Sequence, residues 1–190
     1  DLLKKHHEGL IALSGCMGGE LSRALEHGNR ERAEEVACEY QEIFGKENYF
    51  IEIMHHPAIE GADVLNRNLI ELARKLAIPL VATQDSHYLS RDDKKAHATL
   101  VAIQTGNDIG EPDLFKEDED FSFIGPDEAR EYFKDTPEAL ENTLKIAQRC
   151  DIKIELGTWV FPAIEHANNS SYDEELAALV EKGIKTRGIE

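Results

Sequence analysis

The chain has 190 residues, 41% of them hydrophobic, which is the composition of a globular protein and excludes a disordered one. Asp plus Glu total 38 against 21 Lys plus Arg, a formal net charge of −17. Phosphate backbones repel a chain this acidic, so it is not expected to bind DNA well by itself.

Apolar runs and helical patterns alternate along the first two thirds of the sequence. GLIAL, from Gly9 to Leu13, predicts a short strand that stops at Ser14-Gly15. Gly19 to His27 predicts a short helix with Gly28 as its stop. Asn29 is placed to cap the next helix, which should end at Gly45. Asn48 to Met54 is aromatic and β-branched and predicts a second strand. Between Asp63 and Ala77, Val64, Leu65, Leu69, Leu72, Ala73 and Leu76 share one helical face. PLVAT, from Pro79 to Thr83, predicts a third strand, and Ser90 is set to cap a helix running to about Ile103 and stopping at Gly106.

From Asn107 the character changes. NDIGEPDLFKEDED predicts a long acidic loop, followed by the small apolar clip Phe121-Ser122-Phe123. Helices are expected from Pro126 and from Thr136-Pro137, since proline is favoured in a first helical turn. Asp151 to Leu156 is read as a further strand, Ala163 to Ser171 as a polar linker, and Ser171 as the cap of a last amphipathic helix. The order β-αα-β-α-β-α argues for a parallel sheet or barrel. No apolar run is long enough for a membrane span, and DLLKKHHEGL is not a secretory signal. Three cysteines, an odd number without paired spacing, suit a reducing compartment, so a cytoplasmic location is expected. The absence of a starting methionine suggests a piece of something longer.

In α/β barrels and sheets, ligand chemistry gathers at the C-terminal strand ends. Here the first strand is followed by Cys16, the second by His55 and His56, and the third by Asp85 and His87. Residues two apart on an extended chain point the same way, so Asp85 and His87 are expected to project together from the end of the third strand. Sulfur, nitrogen and oxygen donors at neighbouring strand ends are the ligand types of a metal site; an Asp-x-His alone reads first as a plain turn in which Asp85 caps a backbone amide, and only then as a metal or acid/base pair. Cys38 and Cys150 read as packing residues, His97 as packed or hydrogen-bonded, His55 as a loop residue, and His6, His7, His27 and His166 as exposed. Asp63, Asp92 and Asp93 read as helix-start acids.

GLIALSGCMGGELSRAL, PLVATQDSHYLSRDDKKAHATLVAIQTG and FSFIGPDEAREYFKDTPEALENTLKIAQRC together resemble the alpha subunits of bacterial replicative (C-family) DNA polymerase III. The resemblance runs in order over nearly the whole chain. It implies the C-terminal part of a polymerase-and-histidinol-phosphatase (PHP) domain over residues 1–155, and a linker with the start of the palm over 156–190. The implied fold is α/β, an incomplete PHP-type barrel (distorted, seven-stranded when whole) followed by helical segments. It also implies divalent metal ions, zinc with manganese or magnesium, at the barrel mouth, held here by Cys16, Asp85 and His87, with further ligands upstream of Asp1. His56 matches the family pattern without being assigned as a ligand. The parent would be a DNA-directed DNA polymerase whose catalytic aspartates lie beyond Glu190. Its partners would be DNA, held by other parts of the polymerase, and the exonuclease, sliding clamp and clamp loader of the replicase. The PHP domain would act as a metal-dependent 3′-to-5′ proofreading exonuclease, or as a scaffold that docks a separate exonuclease; a stand-alone PHP phosphatase is the remaining alternative.

Overall fold

The computed structural model describes residues 1–106, 120–159, 161 and 171–188. The chain divides into two compact units, 1–151 and 152–190. In the first, the elements in order are α1 (Leu2–Lys5), β1 (Ala12–Leu13), α2 (Glu20–Glu26), α3 (Arg30–Phe44), β2 (Tyr49–Met54), α4 (Ala62–Leu76) and β3 (Leu80–Thr83). A single 3₁₀ turn (Arg91–Asp93) then leads into α5 (Lys94–Thr105), α6 (Pro126–Tyr132) and α7 (Pro137–Arg149).

The three strands form one parallel sheet in the order β1-β2-β3. Tyr49 lies opposite Ala12, and Ile51 to Met54 run opposite Leu80 to Thr83. Sequential order with helical crossovers is the arrangement that short parallel strands require. β2 lies in the middle and all but its last residue is buried, which explains its nearly unbroken apolar run. Tyr49, Ile51 and Ile53 join the core with Leu21 and Leu25 of α2, Val36 of α3, and Leu65, Leu69 and Leu72 of α4. Each such fully buried leucine is worth about 2 kcal/mol in apolar area removed from water. The helix-face reading of α4 holds for Leu65, Leu69, Leu72 and Ala73, whereas Val64 stays 49% exposed.

Local signals set the helix starts. The Asn29 side chain accepts from the Arg32 amide at 3.0 Å. Ser90 and Asp93 form a capping box, but the turn they open is 3₁₀, and the α-helix begins only at Lys94. α7 returns to cover β3, and the Asn142 side chain donates to the Leu80 carbonyl at 2.7 Å. Arg149 at its end donates to the Glu47 carbonyl at 2.7 Å.

In the second unit, α8 (Tyr172–Arg187) starts from a Ser171–Glu174 capping box, and Trp159 stacks on Phe161 at 6.2 Å. The strand expected over Asp151 to Leu156 does not form. These residues are exposed and irregular, since an alternating pattern makes no strand without a neighbour to pair with. Cys38 and Cys150 are also exposed rather than packed, because the buried faces of α3 and α7 are taken by Ala33, Val36, Ala37 and Ala139. The strand predicted over Gly9 to Leu13 shrinks to Ala12–Leu13. The acidic loop from Asn107 to Glu119, and the linker and His166 within 162–170, lie outside the described residues. The described strands are three; closure into a seven-stranded barrel is not among them.

Candidate metal centre

Cys16 follows β1 in a tight loop. The Gly19 amide donates to the Cys16 carbonyl at 2.8 Å. A Cβ on Gly19 would lie 2.7 Å from the Ser14 carbonyl oxygen and 3.0 Å from that of Cys16, so only glycine fits without moving backbone. The Cys16 residue itself is exposed at the rim.

Beside it sits Glu52, a carboxylate on β2 that is 8% exposed. Its Oε2 accepts from the Gly15 amide at 3.1 Å and its Oε1 from the Thr83 hydroxyl at 2.5 Å. Its own amide donates to Ser14 Oγ at 2.9 Å. A buried carboxylate costs free energy unless its oxygens find donors, and here both do. Gly15, Cys16, Glu52, Met54 and His56 line a small cavity of ≈ 20 Å³ at this end of the sheet. Asn66 of α4 closes the end of β2, donating to the Met54 carbonyl at 2.5 Å.

His56 is 4% exposed, and its ring lies 5.0 Å from that of Phe121. Phe121 also meets His87 edge-on at 4.8 Å. The His87 amide donates to the Phe121 carbonyl at 2.8 Å, and Tyr88 bridges in parallel to Ser122. The His97 ring of α5 lies 5.2 Å from that of His87. His55 stacks on Tyr132 at 4.0 Å. A run of side chains thus leads from Cys16 past Glu52 and His56 to Phe121, His87 and His97.

Asp85 departs from the extended geometry on which the same-side projection of Asp85 and His87 depended. β3 ends at Thr83, and Asp85 has φ +53, a left-handed conformation that aspartate tolerates better than most residues. Asp85 and His87 are both exposed. Among the described residues no group of three or more His, Cys, Asp or Glu is close enough to hold a metal ion. Cys16, Asp85 and His87 have the donor types zinc prefers, but in this arrangement they do not make a ligand set by themselves.

Asp120 borders the cluster. Burial pushes its carboxyl upward, but hydrogen bonds from the Ser122 amide and hydroxyl and from Arg91 outweigh that and hold it below the usual carboxylate range. Arg91 Nε donates to it at 2.6 Å. Burial pushes the Tyr49 phenol well up, with smaller contributions from Tyr40 and Glu20.

Two residues of this region are not marked as site residues by local sequence pattern. Glu52 is hidden inside YFIEIM, where the only hint is one charged residue in a strand otherwise fit for full burial. Phe121 was legible only as part of an apolar clip, since its partners lie 34 and 65 residues away in the chain.

The PHP domain family model matches residues 1–56, which takes in Cys16, Glu52 and His56. The chain is 38% identical over 190 residues to the DNA polymerase III subunit alpha of Treponema pallidum, with 98% of this chain and 16% of that protein covered. The chain is a relative of the DNA polymerase III alpha subunits. It is also 34% identical over 188 residues to the subunit of Pseudomonas aeruginosa (98% of this chain, 16% of that one). For the subunit of Thermus aquaticus the identity is 34% over 189 residues (94% and 15%). The chain thus spans about 16% of the length of the curated relatives it matches. Among the described residues no helix is long and apolar enough to cross a membrane.

Proposed function

We propose that this chain works as a segment of a replicative DNA polymerase III alpha subunit, a DNA-directed DNA polymerase of chromosome replication in the cytoplasm. Residues 1–155 would be the later part of its PHP barrel and 156–190 the approach to the palm. The observation that carries this reading is the 38% identity extending over 98% of the chain. The net charge of −17 supports DNA contact through other parts of the polymerase, and its partners would be further replicase subunits (exonuclease, clamp and clamp loader).

Within that polymerase, Cys16, Asp85 and His87 would hold a divalent metal ion, zinc first by donor type, with manganese or magnesium beside it. Such an ion supplies Lewis acidity for phosphodiester hydrolysis, the chemistry of 3′-to-5′ proofreading. Support comes from the exposure of all three groups at the loops following β1 and β3 of one parallel sheet. The ligand set would be completed by donors from elsewhere in the longer protein. A second reading is favoured by the lack of a three-ligand group among the described residues: a scaffold that stabilises the polymerase and docks a separate exonuclease. Elemental analysis of the full-length subunit separates the two. Stoichiometric zinc or manganese that falls in both Asp85→Ala and His87→Ala supports the metal centre. Metal-free protein that still polymerises supports the scaffold.

A further inference from the structure

We infer that Glu52 is a positioning residue whose buried carboxylate fixes the Cys16 loop relative to the Asp85–His87 loop. Its value to a metal rests on the metal-centre reading above; its role in holding the two loops does not. The carboxylate touches both. Oε2 takes the amide of Gly15, next to Cys16, and Oε1 takes the hydroxyl of Thr83, two residues before Asp85. The backbone of the same residue is tied to Ser14 Oγ. β1 and β3 are not neighbours in the sheet, so the connection between their ends runs through β2, and Glu52 supplies it. The apolar side chains of YFIEIM would serve the core as well; an acid at 8% exposure in the middle strand serves the loops.

Hydrogen-bond chemistry gives the test. A glutamine keeps both contacts, because its oxygen accepts from the Gly15 amide and its NH₂ donates to the Thr83 hydroxyl, which also accepts. A methionine keeps the length and loses both. Amide hydrogen exchange and the alkylation rate of the Cys16 thiol are measured on metal-free protein, with the amides of Ile51 and Ile53 as internal controls for global opening. Glu52→Met is expected to speed exchange at Gly15 and Cys16 and alkylation of Cys16 by about tenfold, the worth of one buried hydrogen bond, with the controls moving less. Glu52→Gln is expected to stay near wild type, and Thr83→Ser to do the same while Thr83→Val loosens residues 83–87. Equal behaviour of the Met and Gln variants, or rates in Glu52→Met within about twofold of wild type, overturns the inference. In the full-length subunit, zinc affinity measured by chelator competition should fall about tenfold in Glu52→Met, as it does when groups that orient ligands are lost. No zinc bound by wild type sinks the metal-centre reading alone, and the exchange measurement still decides Glu52.

Discussion

The ring of His87 stands edge-on to the ring of Phe121, 4.8 Å between centroids with the planes at 83°, while the His87 amide donates to the Phe121 carbonyl at 2.8 Å. One residue from a distant part of the chain therefore holds both the backbone and the side chain of a candidate ligand. Phe121 is 8% exposed and also packs on His56 at 5.0 Å. Phe121→Ala should cost about 3 kcal/mol, as large-to-small changes at buried aromatics do. It should also shift the His87 and His56 ring signals in NMR spectra. Urea titration gives the stability, and a loss below about 1 kcal/mol would mean that Phe121 is not packed as described.

Gly19→Ala should destabilise the protein by about 1–3 kcal/mol, because the new methyl meets two carbonyl oxygens of the backbone rather than yielding side-chain ends. The backbone of Gly19 is ordinary, with φ −66, so the cost is one of space and not of conformation. Thermal unfolding checks the stability. A change in the rate at which Cys16 reacts with a small alkylating reagent checks that the Ser14–Gly19 loop is what moves.

Acid should loosen the segment around Phe121 through Asp120. Its folded-state pKa is lowered, so its contribution to stability is present in full above the unfolded value near ~4 and is lost as pH falls through the folded value. The stability difference between wild type and Asp120→Asn should therefore be constant at neutral pH and shrink towards zero below about pH 4. Denaturant titrations at a series of pH values measure it. A difference that grows on acidification would carry the wrong sign.

The order of elements was legible because each strand is a compact apolar run and each long helix has a capping residue or a stop, as Asn29, Ser171 and Gly106 illustrate. What the sequence hid were features made by distant partners. KIEL alternates like a strand, yet nothing among the described residues pairs with it. Asp85 leaves the extended region, which period-two reasoning cannot anticipate. Cys16 and His87 were legible as donors because they follow strands, whereas Glu52 was not, because a charged residue inside a strand reads as solvent-facing until the helices and neighbouring strands bury it. Phe121 became part of the region only through contacts with His56 and His87, which local patterns do not encode.

The proposed centre is tested most directly by anomalous diffraction at the zinc edge from crystals of the full-length polymerase subunit. A peak about 2.3 Å from the Cys16 sulfur and about 2.0 Å from a His87 ring nitrogen is the expected result. A subunit grown in zinc that shows no peak within reach of either residue would contradict it.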